Sequence, residues 1–132
     1  MRFWRSRSLE TFLLISLGAV LGANLRYWVG GWAAERLGAQ FPFGTLMINL
    51  TGSLILGFFL TLATQRFLID PRWRVFFTIG FLGSYTTFST YTYESVALMT
   101  TGHWVTGLLN LLGSALLGGL AAGVGVWLGR LV

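Results

Sequence analysis

Polar residues able to do chemistry stand inside segments of this chain that are otherwise strongly apolar. The densest group is the run from Gly83 to Tyr93, where hydroxyl groups alternate with aromatic rings. A ring edge carries partial positive charge, so an anion could use both the hydroxyls and the ring edges. Ser and Thr in ordinary packed helices, however, also bond back to their own backbone. The run by itself therefore predicts a polar-lined pathway and no particular ion.

Single polar residues mark the other apolar segments. Asn49 offers two N–H donors and one acceptor where an unmet amide costs several kcal/mol, so it needs either a neighbouring helix or an ion as its partner. Asn110, Ser114 and Gly118 are spaced at i, i+4 and i+8, which predicts one stripe on a helix face, serving helix packing or a pathway. Arg26 stands near the end of the first segment. Its side chain could either snorkel to the membrane surface as an anchor or line an anion vestibule.

Catalysis has little support in the residue types present. The chain has one histidine, His103, no cysteine, and no pair of acids at useful spacing. Asp70 and Glu94 are expected near opposite membrane surfaces. We therefore predict that the protein is not an enzyme, and that any cation site would use backbone carbonyls.

The elements that must position these residues are membrane helices. Of the 132 residues, 55% are hydrophobic and 10% are charged, which predicts a multi-pass membrane protein. Long continuous apolar runs favour an all-α bundle over a β-barrel. A signal peptide at the start is the minor alternative. We predict one integral membrane domain with four spans, at roughly 9–32, 44–63, 75–99 and 104–128.

The third predicted span differs from the others in its centre. Gly80 and Gly83 are followed by Ser, Thr and aromatic residues, which are poor helix formers. We predict that this helix breaks in mid-membrane and frees backbone groups that must be buried or used on an ion.

Arginines are distributed unevenly between the two predicted membrane faces. The net charge of +5 comes from nine arginines against four acids, and the arginines never form a basic face of the kind that binds nucleic acid. Only Arg26 and Arg36 are predicted on one face, so the charge rule favours cytoplasmic termini for every copy. The other face collects Arg2, Arg5, Arg7, Arg66, Arg72, Arg74 and Arg130.

Four stretches together resemble the Fluc (CrcB) family of fluoride channels. They are the Gly18 to Ala23 stretch leading to Arg26 and Tyr27, the Gly44-Thr45-Leu46 stretch leading to Asn49 and Gly52, the Gly80 to Thr90 run, and the glycine-rich fourth span. The resemblance implies an antiparallel dual-topology dimer in a bacterial inner membrane, with two fluoride pathways. It also implies a structural, untransported sodium ion held by the backbone carbonyls of Gly83 and Thr86 from both subunits.

The resemblance also assigns pathway residues. Tyr91 stands where the family usually has phenylalanine, and Asn110 stands where some relatives have tyrosine. The charge asymmetry leaves open an oppositely oriented paralogue as partner, in place of a second copy. A small multidrug-type transporter and a structural membrane subunit are the other functions that the residues allow. The implied fluoride pathway comprises Arg26, Asn49, Phe88, Ser89, Thr90, Tyr91, Asn110 and Ser114.

Overall fold

A computed structural model describes residues 9–132 as a series of helices. Helix α1 spans Leu9–Leu37, and α2 spans Phe43–Thr61 before continuing through a wider π-helical turn at Leu62–Arg66. The last helix, α6, spans Trp104–Leu131. In the described part of the chain, these three stretches are long and apolar enough to cross a membrane. The predicted all-helical, multi-pass fold is confirmed at this level.

The chain between α2 and α6 is helical but interrupted, and we call residues 71–100 the broken segment. After its first half, the backbone is extended at Thr86, with ψ 159°, and at Thr87, with φ −151°. The break that the hydroxyl-rich composition predicts therefore lies between Tyr85 and Phe88. The pieces are α3 (Pro71–Arg74), a π-helical stretch (Val75–Leu82), α4 (Gly83–Tyr85) and α5 (Phe88–Thr100).

Helix α1 is longer than the sequence predicts. It continues past Trp32 to Leu37 and stops at Gly38, whose φ of 83° suits glycine. Ala, Glu and Arg fill the added turn, and these residues favour a helix. Arg26 consequently lies about three turns, or roughly 16 Å, before the end of α1, which is deeper than the position expected for it.

Glycines set the close contacts between helices. A Cβ at Gly18 or Gly22 would overlap the backbone of residues 76–85, so α1 packs directly on the first half of the broken segment. Gly57 and Gly125 serve the same purpose between α2 and α6. The predicted close approach at the Gly18–Gly22 step is confirmed, and it follows from small residues removing side-chain bulk between helices.

The arginine-rich end of the bundle is held by contacts between chain segments. Glu10 pairs with Arg72 at 3.0 Å, and an Arg66 Nη2 donates to the backbone carbonyl of Arg130. The opposite end brings residues 39–41 beside Thr101 and His103. The described arginines thus follow the predicted asymmetry, whereas Arg2, Arg5 and Arg7 lie outside the described residues.

Large apolar side chains cover much of the outer surface. Leu116 and Leu112 in α6 are each 66% exposed, and many similar side chains on α1 and α6 are also exposed. Lipid, unlike water, carries no penalty for such exposure. This surface agrees with a protein whose surroundings are a bilayer.

Candidate functional site

The side chain of Asn49 is bonded to the break in the broken segment. Its Nδ2 donates to the carbonyl oxygen of Thr87 at 2.9 Å, and its Oδ1 accepts from the Thr87 amide at 2.8 Å. Asn49 thereby gives the Thr87 amide a partner in place of the helical one that the break removes, and it adds a donor to the Thr87 carbonyl. The sequence analysis predicted that Asn49 needs a partner, and this partner is the backbone of a neighbouring segment. The second N–H of the amide is left for other contacts.

Two backbone carbonyls are released by the same rearrangement. In a continuous helix, the amides of Thr87 and Thr90 would bond the carbonyls of Gly83 and Thr86. Here the Thr87 amide donates to Asn49 Oδ1, and the Thr90 amide donates to Thr87 Oγ1. The two oxygens named from the family resemblance therefore lack these two helical donors. Carbonyl oxygens of this kind suit a hard cation.

A concavity of about 270 Å³ opens beside this pair, between α2, the break and α6. It brings together four residues that the sequence predicts for the pathway: Asn49, Phe88, Tyr91 and Ser114. These residues come from three separate segments, so only the tertiary fold assembles them. The remaining lining residues are Ser53, Thr86, Thr87, Ala115 and Gly118.

The two aromatic rings of this concavity meet edge to face. The centroids of Phe88 and Tyr91 lie 5.5 Å apart with an interplanar angle of 68°. The Tyr91 hydroxyl donates to the carbonyl of Leu111 at 2.9 Å, so it is occupied by α6. Tyr91 therefore presents its ring to the concavity, as phenylalanine would.

Asn110 lies behind the concavity and not on its wall. It is 1% exposed, and its Nδ2 donates to Ser95 Oγ at 2.8 Å. Ser95 in turn donates to the Tyr91 carbonyl, and Ser114 donates to Asn110 Oδ1 at 3.0 Å. The predicted stripe of Asn110 and Ser114 is thus a hydrogen-bonded relay between α5 and α6. Sequence reasoning missed Ser95 because serine in an apolar helix carries no distinctive signal.

Arg26 and Thr90 line a second concavity, of about 530 Å³, on the other side of the break. Thr87 lines both concavities, so it stands between them. Ser89 is exposed in the first turn of α5 and lines neither. The predicted site therefore divides into two chambers separated by the irregular backbone at Thr87.

A polar pair that the sequence did not single out lies beyond the Arg26 chamber. Thr45 donates to Glu94 Oε1 at 3.0 Å, and Glu94 Oε2 is buried without a hydrogen-bond partner among the described residues. Both residues line a concavity of about 500 Å³ near residues 38–44. Glu94 was expected at a membrane surface, and its distance of 49 residues from Thr45 hid the pair from sequence reasoning.

The concavities form a series because neighbours share lining residues. Thr45 lines both the Glu94 and Arg26 chambers, Thr87 both the Arg26 and Asn49 chambers, and Ser53 both the Asn49 chamber and a groove of about 300 Å³ toward Thr64. Within residues 9–132, no group of three His, Cys, Asp or Glu side chains could hold a metal. Polar side chains occur in each of these concavities, from Glu94 to Thr64.

Comparison with known proteins identifies the family. The family profile described as "CrcB-like protein, Camphor Resistance (CrcB)" matches residues 13–126. A Synechococcus protein named fluoride-specific ion channel FluC is 47% identical over 126 residues, covering 96% of this chain and 97% of that relative. Proteins of the same name from Chloroflexus aurantiacus and Sulfurihydrogenibium are 44% and 41% identical, covering 92% and 94% of this chain and 97% and 100% of the relatives. The resemblance predicted from sequence is confirmed, and this chain belongs to the CrcB-like protein family.

Proposed function

We propose that this chain is one subunit of a channel that conducts fluoride passively out of the cell. The relatives that it matches over nearly their whole length are named fluoride-specific ion channels. On this chain, the main support is the pairing of Asn49 with Thr87, which holds extended backbone between two concavities of an otherwise apolar bundle. Irregular backbone at membrane depth is tolerated where it is buried in protein or lines an aqueous path.

The proposed path follows the series of concavities. Fluoride passes the Arg26 chamber, with Thr90 on its wall, and then Thr87 to reach the chamber of Asn49. There it exchanges water for the remaining amide N–H and for positive ring edges. A low-dielectric path strengthens each contact, while their sum must stay weak enough for the ion to leave. Small size and strong hydrogen bonding favour fluoride over chloride.

Phe88, which lines the Asn49 chamber, and Ser89 are also open to contact from a second subunit. Phe88 is 76% exposed on the single chain, and Ser89 is exposed beside it. We propose that they meet the pathway where a second copy packs against this one. Asn110 positions Ser114, because it accepts the Ser114 hydroxyl hydrogen from behind the Asn49 chamber.

We further propose that residues 71–100 cross the membrane as a fourth span of one membrane domain, and that two copies pack antiparallel. Arg72 lies at the arginine-rich end, beside Glu10, whereas Thr101 lies at the opposite end. The broken segment therefore runs from end to end of the bundle. An antiparallel pair would place the two breaks at the same depth.

A structural sodium ion between the two breaks is the last part of the proposal. The carbonyls of Gly83 and Thr86 would hold it, which their release from helical pairing supports. Removing sodium and lithium from the buffer should lower the melting temperature of the dimer or silence it, because these carbonyls would lose their partner in lipid. Unchanged melting and flux would count against a structural cation.

Purified protein in liposomes tests the main proposal. With a potassium gradient and valinomycin to carry the balancing charge, fluoride should leave the vesicles while chloride stays behind. Equal release of both ions, or of neither, would contradict fluoride conduction. The multidrug-type alternative has less support, because Glu10 is exposed and paired with Arg72 near the start of α1.

Cysteine labelling tests the orientation in a bacterial inner membrane. The chain has no native cysteine, so single cysteines at Gln65 and Gln40, which are exposed at opposite ends, can be labelled from outside intact cells. Gly102 is less suitable because its φ is 91°. Labelling of both sites in a singly expressed protein supports dual topology. Labelling of Gln40→Cys alone would indicate fixed orientation and an oppositely oriented paralogue.

A further inference from the structure

Most hydroxyl groups in the helices of this chain are already committed to their own backbone. They donate to a carbonyl one turn earlier, which is the usual solution for Ser and Thr in apolar helices. A committed hydroxyl has no proton left for a passing anion. Residues that donate to the carbonyl four positions earlier include Ser16, Thr51, Thr61, Thr64, Thr78, Thr86, Thr92 and Ser95.

Ser53 differs from this group. It lies one turn after Asn49 in α2, is half-buried, and makes no hydrogen bond with any described residue. An unmet hydroxyl in apolar surroundings is unfavourable, so its O–H is available for a partner. Ser53 also lines both the Asn49 chamber and the groove that leads to Thr61 and Thr64. Its hydroxyl therefore stands at the junction of two concavities.

Ser114, the other serine of the Asn49 chamber, is committed by the relay behind it. The Tyr91 carbonyl can only accept, so Ser95 must donate to it and then accept from the Asn110 amide nitrogen. This fixes Asn110 Oδ1 toward Ser114, whose O–H donates to it. Ser114 consequently presents lone pairs to the chamber, and these do not attract an anion.

We propose that Ser53 is an anion-binding residue that donates its O–H to fluoride between the Asn49 chamber and the groove toward Thr64. The inference rests on the proposed function and adds a binding residue to it. Hydrogen bonds to an ionised acceptor are about twice as strong as neutral ones, which suits a single uncommitted donor. Gly118 faces this position, because a Cβ there would lie 4.0 Å from Ser53 Oγ. The missing side chain leaves room for the ion.

Ser53→Ala tests the proposal in the liposome assay on the full-length protein. We expect fluoride efflux to fall at least about tenfold. The melting temperature should not fall, because the substitution breaks no hydrogen bond within the described residues. Ser16→Ala is the matched control: it removes a hydroxyl bonded to the Phe12 carbonyl, and it should keep its efflux.

Gly118→Ala provides a second variant that leaves Ser53 in place. Its methyl group fits without a clash and narrows the space over the hydroxyl, so efflux should fall, while Gly119→Ala, which has open space, should conduct normally. Efflux within about twofold of wild type for Ser53→Ala would overturn the inference. A parallel loss of melting temperature and efflux in Ser53→Ala would overturn it too. If wild-type protein itself releases no fluoride, the proposed function fails independently.

Discussion

Two asparagines in apolar helices of this protein have opposite surroundings. Asn49 in α2 bonds the extended backbone of Thr87 and borders an open chamber. Asn110 in α6 is 1% exposed and is held between the hydroxyls of Ser95 and Ser114. The first amide supports irregular backbone beside a cavity, and the second joins two regular helices.

The difference teaches that an amide within an apolar span does not by itself indicate an ion pathway. Both side chains satisfy the rule that buried polar groups find partners. What distinguishes them is the partner: a break in a neighbouring helix exposes further polar groups, whereas intact helices with serine side chains close over the amide. Substitution of Asn49 should therefore mainly reduce fluoride transport, whereas substitution of Asn110 should mainly lower the stability of the protein.

The largest expected effect is that of Asn49→Asp. The carboxylate keeps the acceptor for the Thr87 amide but loses the donor to the Thr87 carbonyl, and its negative charge repels an anion. We expect no measurable fluoride efflux from liposomes, with the protein still eluting as the same species in size-exclusion chromatography. Full efflux would remove Asn49 from the pathway and end the contrast with Asn110.

Phe88→Ile should have the next largest effect. The substitution removes an aromatic ring, whose edge carries partial positive charge, from the lining of the Asn49 chamber while keeping an apolar side chain of moderate size. Fluoride efflux should fall about tenfold or more. Phe12→Ile, on an exposed position of α1, is the matched control and should conduct like wild type. Equal losses in both variants would point to a general packing effect.

Asn110→Ala should reverse the pattern seen at Asn49. Loss of the amide removes its hydrogen bond to Ser95 in α5 and its bond from Ser114 within α6, and it leaves a small cavity, for a cost of about 1–3 kcal/mol. The melting temperature in detergent should therefore fall, while fluoride efflux per amount of folded protein stays within a few fold of wild type. Abolished efflux at unchanged melting temperature would place Asn110 in the pathway directly.

Tyr91→Phe should have the smallest effect. The aromatic ring that lines the Asn49 chamber is retained, and only the bond from the hydroxyl to the Leu111 carbonyl is lost, at about 1 kcal/mol. We expect normal fluoride efflux and a slightly lower melting temperature. A large loss of efflux would show that Tyr91 works through its hydroxyl, contrary to the geometry.

The residue types and the family resemblance together predicted part of the candidate site. Asn49, Phe88, Tyr91 and Ser114 were all selected as polar or aromatic exceptions in apolar spans, or through the family resemblance, and they line one chamber. Three features could not be predicted from the sequence, because they depend on which groups other helices bring beside a residue. These are the bond between Thr45 and Glu94, the relay through Ser95, and the uncommitted hydroxyl of Ser53.

The sequence by itself determined the all-helical membrane class, the close approach at Gly18 and Gly22, and the presence of a break within residues 71–100. Each of these depends on local composition, namely hydropathy, missing side chains and poor helix formers. Tertiary structure alone decided that the break falls at Thr86 and Thr87, where the Asn49 side chain bonds both the amide and the carbonyl of Thr87. It also decided which hydroxyls stay free, because a hydroxyl is committed or available only in relation to the groups that other helices bring beside it.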